Sequence, residues 1–349
     1  MIYYGILFLI IFLSSLIKNK KKYCWIIGSI LVLFAGLRAN TIGQDTPQYQ
    51  YIYNTFIQHG YEYELSSRGS RSDAEIGYFI IQAIFSQFVN YNVFKFLCSA
   101  FTIIPACFII YKYSNRPQIS FFVFFALPIF TLLSMTAMRQ GVAFGMCMFA
   151  FHYAITRKLK IFLLCILVAF LFHTSSIFFL PIYFINFLKY KRNYNWYILA
   201  LIILIGVTSS SIFTILVKYS RLKYEIGEAG GVKMLVFLLL LYMASIFIKI
   251  TILQKTLHKF NLYLLVYTIL LWLIGMNVAA VFRLAAYTEF FLCLYISNTL
   301  FEIKKSTVRK TIIVTVCIIC VLTMQLLVLT GKTETIQYPF YPYYFLWEK

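Results

Sequence analysis

The sequence predicts an all-α polytopic membrane protein, and three observations lead to that prediction. Of its 349 residues, 62% are hydrophobic and only 12% are charged, far from the balance of a soluble domain. Apolar segments of spanning or near-spanning length recur throughout, so we expect one integral membrane domain over residues 1–349. Basic residues cluster in the short loops between these segments. Positive-inside orientation therefore accounts for the net charge of +20, and no nucleic-acid partner is expected.

The first apolar segment is predicted to be a retained helix, because its start lacks the basic region of a secretory signal and lysines follow it. The KNKKK run at 18–22 marks the cytoplasmic side. The chain then returns outward through about residues 24–37, so Arg38 emerges on the extracytoplasmic face. From there we predict a first extracytoplasmic loop over residues 38–92.

Within that loop, segment 76–92 is predicted to be an interfacial or re-entrant helix. If it crossed the membrane, the basic loop at 112–116 and every later basic loop would lie on the wrong side. With this assignment the later basic loops fall in the cytoplasm and nearly all acidic residues fall outside. The resulting topology has about 12 transmembrane helices, a second extracytoplasmic loop at 218–233 and an extracytoplasmic tail at 331–349.

Three predicted hairpin tips on the outer side place a basic or titratable side chain where an apolar run stops. These are Arg139 in AMRQG, His173 in FHTSS and Arg283 in VFRLAAY, and Arg38 joins them from the end of the second helix. Each arginine can simply snorkel to the headgroup level, but arginines beside membrane segments more often face a polar cavity. Guanidinium groups match phosphate oxygens, so their convergence predicts a site for an anionic ligand.

His173 is expected to lie below the outer surface. Basic loops at both ends require segment 161–188 to go out and return, yet each arm has only about 12 to 15 residues against the roughly 20 needed to span. A recessed neutral imidazole can act as a general base near neutral pH. The alternative is a structural hydrogen bond between helices.

The first loop supplies candidates for sugar handling. Asp45 is either a turn former in an interfacial aromatic belt or a carboxylate that holds or deprotonates a sugar hydroxyl. Tyr49, in a ladder of tyrosines, can stack on a pyranose ring. No DxD, P-loop or GxGxxG motif occurs, and the eight cysteines lie in or beside apolar segments. We therefore predict no soluble nucleotide donor, no metal site and no cofactor.

The order of these motifs resembles the EpsG family of bacterial polysaccharide polymerases, which are similar in role to Wzy O-antigen polymerases. The motifs are GLR at 36–38, GxDxxxY at 43–49, E-x-GY at 75–78, RQ-x-x-A-F at 139–144, FH-x-S at 172–175 and RLAAY at 283–287. The usual E-P-G-Y of the family reads E-I-G-Y here, so the proline turn is absent. Through these motifs Glu75 and Tyr287 join Tyr49 as candidate substrate-binding residues.

The resemblance implies a bacterial inner-membrane enzyme with a GT-C-like helical bundle and an active site on the extracytoplasmic face. The implied donor and acceptor are oligosaccharide repeat units on undecaprenyl diphosphate, and the other partners are membrane lipid, a flippase and a chain-length regulator. We expect Arg38, Arg139 and Arg283 to hold the donor diphosphate, with His173 or else Asp45 as the base. Alternatives are an O-antigen ligase, a membrane acyltransferase, and a lipid-linked oligosaccharide flippase or other transporter.

Overall fold

The computed structural model describes residues 2–67, 75–189, 191, 194–219, 231–247, 255–276, 279–299, 306–329 and 343–348. Within these ranges the regular structure is helical, which confirms the predicted all-α class, and extended backbone pairs only in an antiparallel bridge between Arg38 and Phe345. The predicted loop at 218–233 and tail at 331–349 lie largely outside the described residues.

The first five helices are α1 (Ile2–Leu16), α2 (Lys20–Gly36), α3 (Thr46–Ser67), α4 (Ile76–Phe85) and α5 (Tyr91–Tyr113). Asparagine side chains start two of them, since the side chain of Asn19 accepts the N–H of Lys22 at 3.0 Å in α2 and that of Asn90 accepts the N–H of Val93 at 3.1 Å in α5. Helix α4 has ten residues, about 15 Å, which is too short for a hydrocarbon core of about 30 Å. Its predicted interfacial position is compatible with this length and stays a prediction.

A broken helix follows α5. Helix α6 (Pro117–Ala126) is bent by 71° from the next segment, which comprises α7 (Pro128–Thr131) and a π-helical turn (Leu132–Thr136). Pro128 disfavours a helical conformation at the preceding Leu127, whose ψ is 147°. The helix stops again at Ala137, whose φ is −89° and ψ is 69°, so the last carbonyl groups of the π-helical turn lack intrahelical partners and need others.

The rest of the chain begins with α8 (Met138–Ile155), α9 (Leu159–Phe172) and a 3-10 helix (Thr174–Phe187). The later helices are α10 (Tyr194–Tyr219), α11 (Val232–Phe247), α12 (Lys255–Gly275), α13 (Ala279–Glu289), α14 (Phe291–Thr299) and α15 (Ser306–Leu329). Helix α8 packs against both α5 and α9, and α12 packs against α13 and α14. A small second core beneath the first loop is largely aromatic and includes Tyr49, Tyr53, Tyr78, Tyr91 and Phe94.

Two described helices are long and apolar enough to cross a membrane, Tyr91–Tyr113 and Thr256–Gly275, and the bent pair is a third if it forms one broken span. Six further apolar helices have between 10 and 17 residues. Many large apolar side chains on these helices are exposed, as suits contact with lipid. The fold is thus that of a helical membrane protein, while the twelve crossings and the GT-C-like arrangement stay predictions.

The segment near the C-terminus lies against the start of the first loop. The Ala39 N–H donates to the Tyr344 carbonyl, and the Leu346 N–H donates to the Leu37 carbonyl, both at 2.9 Å. This contact is compatible with the predicted topology, which puts residues 38 and 343–348 on the same face of the membrane.

Candidate active site

Glu75 lies between two of the predicted site residues and contacts both. Its Oε2 accepts a hydrogen bond from Arg139 Nη1 at 2.9 Å, and its Oε1 lies 2.5 Å from His173 Nδ1. The backbone N–H of Thr174 donates to the same Oε1 at 3.3 Å. The side chain of Glu75 is 11% exposed, that of Arg139 is 25% exposed and that of His173 is 23% exposed, so the group is partly accessible.

The E-x-GY motif explains how Glu75 reaches this position. Glu75 is the N-cap of α4, and Gly77 lies in the first turn, where the helix meets the end of α9. A Cβ at Gly77 would lie 2.6 Å from the Leu171 carbonyl oxygen, so only glycine permits this approach. Leu171 is two residues before His173. The close contact of α4 with α9 therefore brings the carboxylate to the imidazole.

His173 stands at the junction of α9 and the 3-10 helix, each 14 residues long, which is where the sequence places the tip of segment 161–188. Its backbone is extended, and its N–H donates to the Ala169 carbonyl at 2.9 Å. His173 is thus the single residue that separates two helices. The orientation of its side chain depends on the hydrogen bond with the Glu75 carboxylate.

The carboxylate of Glu75 defines the tautomer of His173. Burial alone raises the pKa of Glu75, but the hydrogen bond from His173, a backbone hydrogen bond and, to a smaller extent, the positive charge of Arg139 together outweigh that effect and lower the pKa to about 2. An ionised carboxylate only accepts hydrogen bonds, so Nδ1 of His173 carries the proton. In the neutral imidazole, Nε2 is then the nitrogen that can accept a proton.

We expect this network to make stability fall in acid. Because the pKa of Glu75 is lowered from 4.5 to about 2 in the folded protein, its stabilising contribution is complete above the unfolded value and declines progressively from there as the pH falls towards about 2. Thermal unfolding of the protein in lipid nanodiscs between about pH 6 and pH 3 measures this loss. Glu75→Gln should flatten that part of the curve, and an unchanged acid slope would contradict the assignment.

Tyr49 contacts the side chain of Arg139. The prediction for Tyr49 was a contact with a sugar. Its hydroxyl accepts a hydrogen bond from Arg139 Nε at 3.3 Å, and the guanidinium carbon lies 5.8 Å from the ring centroid. The ring of Tyr78 lies 5.6 Å away on α4. Because Tyr49 is only 5% exposed, a pyranose cannot stack on it in this structure.

Arg38 is fully buried, and three of its nitrogens face oxygens of the protein. Its Nη1 donates to the Ala35 carbonyl at 2.6 Å and to Ser99 Oγ at 3.1 Å, while Nη2 donates to the Met135 carbonyl at 2.9 Å. The Nε group lies 3.4 Å from the Ile42 carbonyl. This placement argues against the predicted phosphate-binding role, because the guanidinium is buried and directed inward.

The partners of Arg38 show what it does instead. Ala35 is in the last turn of α2, and Met135 is in the π-helical turn, so both carbonyl groups belong to helix ends that lack intrahelical partners. Thr46 Oγ1 donates to the same Met135 carbonyl at 3.2 Å. A cation between two helix C-termini is stabilised by their dipoles, so Arg38 joins the end of α2 to the end of the π-helical turn that precedes α8.

Lys95 is a second buried cation, which the sequence analysis missed. Its Nζ donates to the Arg38 carbonyl and to Asn40 Oδ1, each at 2.5 Å. A lysine within the apolar stretch of α5 is the signal that could have revealed it. Together with Arg38 it holds the first turn of the loop after α2.

The remaining predicted residues have different surroundings. Arg283 on α13 is exposed, as a ligand-binding cation must be. Tyr287 is 1% exposed, and its hydroxyl lies 3.1 Å from Ser175 Oγ. Asp45, half-buried at the start of α3, makes no hydrogen bond to Glu75 in the described part of the chain. Nor do the described residues include a group of three side chains able to hold a metal ion.

The comparisons with known proteins give one match. A family model described as the EpsG family matches residues 21–345, a range that includes every residue of the candidate site. No curated protein sequence and no solved structure matches the chain.

Proposed function

The chain belongs to the EpsG family, and we propose that it is a polymerase that transfers undecaprenyl-diphosphate-linked oligosaccharide repeat units onto one another. Family membership indicates a polysaccharide polymerase-type function. The observation that carries the proposed reaction is the contact of His173 Nδ1 with Glu75 at 2.5 Å. A carboxylate that orients an imidazole in this way leaves the other ring nitrogen as a general base.

In the proposed reaction a hydroxyl of the acceptor sugar gives its proton to His173 Nε2. The hydroxyl oxygen forms a bond to the anomeric carbon of the donor, and the bond from that carbon to the phosphate oxygen breaks. Undecaprenyl diphosphate leaves with the electron pair, and His173 later releases its proton to water or to the leaving group. Glu75 stays ionised throughout and stabilises the imidazolium.

The leaving group carries the charge that the site must stabilise. Arg139 is held beside the base by Glu75 and Tyr49, and the exposed Arg283 lies on α13. Fixed positive charge next to a departing diphosphate lowers the barrier to its departure. We therefore assign the donor diphosphate to the side of the site formed by Arg139 and Arg283, on the extracytoplasmic face of the inner membrane.

The test is elongation by the purified protein in nanodiscs, with undecaprenyl-diphosphate-linked repeat units as both donor and acceptor. We expect products that grow by whole repeat units without any nucleotide sugar, and Arg283→Ala should raise the KM for the donor by about tenfold. Gel electrophoresis of the released glycans measures the product length. Absence of elongation at any substrate concentration would refute the proposed function.

Gene deletion in cells separates the polymerase from the other candidate functions. A polymerase defect leaves surface glycans capped with a single repeat unit. Lipid-linked units trapped on the cytoplasmic side would indicate a flippase, and long chains that remain on the lipid carrier would indicate a ligase.

A further inference from the structure

Helix α13 is connected to the arginine that binds Glu75. The Arg283 carbonyl accepts a hydrogen bond from Gln140 Nε2 at 2.5 Å. Gln140 follows Arg139 directly in α8 and is 1% exposed. The helix that carries the exposed Arg283 is therefore fixed to the start of α8, next to one of the two partners of the carboxylate.

One turn later, the same helix is connected to the other partner. The Tyr287 hydroxyl lies 3.1 Å from Ser175 Oγ, and Ser175 is two residues after His173. Tyr287 packs in the main hydrophobic core with its ring covered. Its ring is therefore covered in this structure and its hydroxyl has a protein partner, while its role in substrate binding stays a prediction.

We propose that Tyr287 is a positioning residue whose hydroxyl, through Ser175, fixes the segment that carries His173 and so holds the imidazole against Glu75. This inference rests on the proposed function, because it assigns Tyr287 a part in the same reaction. No contact with the substrate is required of either Tyr287 or Ser175.

The local backbone explains why such an anchor is needed. His173 is extended, and the first N–H groups of the 3-10 helix that follows have no intrahelical acceptors. The Thr174 N–H bonds to Glu75 itself at a long 3.3 Å, so the Ser175 side chain supplies a separate tie to the rest of the bundle. A displacement of about 1 Å at a catalytic group can lower a rate by about 100-fold.

The experiment compares Tyr287→Phe, Ser175→Ala and the double variant in the elongation assay. Each single change should lower kcat by about tenfold with KM unchanged, because the base is misplaced while the substrate contacts remain. The double variant should be no slower than either single variant, because both delete the same hydrogen bond. Ser175→Thr keeps a hydroxyl and should keep most of the activity.

Tyr242→Phe is the matched control, since Tyr242 is also buried and its hydroxyl donates to a backbone carbonyl, that of Asn195, at 2.8 Å. It should retain the kcat of the wild type. A wild-type kcat in Tyr287→Phe, multiplicative losses in the double variant, or an equal loss in Tyr242→Phe would overturn the proposal.

Hydrogen–deuterium exchange gives a readout that does not depend on catalysis. Amides of residues 173–176 should exchange faster in Tyr287→Phe and Ser175→Ala than in the wild type or in Tyr242→Phe. If the wild type failed to elongate the substrate, the proposed function would fall, and the exchange rates would still decide whether Tyr287 anchors this segment. Unchanged exchange in both variants would reject the anchor.

Discussion

Glu75→Gln is expected to lower the kcat of repeat-unit transfer by about 10²- to 10³-fold in a protein that still folds. The carboxylate accepts hydrogen bonds on both oxygens, from His173 and from Arg139. A carboxamide of the same shape accepts on one oxygen and presents an N–H group at the other position. The new N–H group therefore faces the N–H group of either His173 or Arg139. As a result, either His173 changes its tautomer or Arg139 changes its position.

Single-turnover kinetics with preformed complexes measure this effect on the chemical step. Glu289→Gln is the matched control, because Glu289 is also buried but accepts, among the residues that the structure describes, from one side-chain donor, Trp272 Nε1 at 2.5 Å. A glutamine can reproduce that single bond, so this variant should keep the kcat of the wild type.

The result also separates two roles for Glu75. The family motif suggested contact with the substrate, which predicts a raised KM and a kcat close to normal when the charge is removed. Orientation of the base predicts the reverse, a low kcat with a normal KM. If Glu75→Gln only raised the KM, the role of Glu75 would therefore be to contact the substrate. His173 would then have no residue assigned to orient it.

Local patterns in the sequence were enough to predict the all-α class and to single out two residues of the candidate site. Apolar runs and basic loops consist of residues that are adjacent in the sequence, so they can be recognised without the structure. They predicted a helical membrane protein and placed Arg139 and His173 at the tips of separate hairpins. The structure brings these two side chains to one carboxylate, over separations of 64 and 98 residues. That pairing depends on the approach of α4 to α9 at Gly77, which periodicity does not encode.

Some of the other predicted site residues differ from expectation because their side chains are buried. The sequence alone does not show which side chains are buried. A tyrosine near a predicted site can face a ligand or pack against the protein, and Tyr49 and Tyr287 are both buried, at 5% and 1% exposed. An arginine at the end of an apolar run can meet a phosphate or a helix end. The choice for Arg38 depends on the end of the π-helical turn, whose free carbonyl groups arise only when the chain is folded.

Arg38→Met is expected to destabilise the protein by about 3 kcal/mol or more, with loss of folded material rather than a selective loss of donor binding. The change removes the donor at 2.6 Å from the Ala35 carbonyl and the donor at 2.9 Å from the Met135 carbonyl, which keeps only the longer bond from Thr46 Oγ1 at 3.2 Å. It also removes the cation between two helix C-termini. Arg38→Lys should be intermediate, because one ammonium cannot reproduce the fork of the guanidinium.

Fluorescence-detected size-exclusion chromatography and the thermal unfolding midpoint measure this effect, with the exposed Arg157→Met as the matched control. Poor recovery of Arg38→Met beside a normal yield of Arg157→Met is the expected result. If Arg38→Met instead accumulated with the unfolding midpoint of the wild type and showed only a raised KM for the donor, Arg38 would have to turn outward in the substrate complex. The bonds to α2 and to the π-helical turn would then be a feature of the resting state, and diphosphate binding would have to release them.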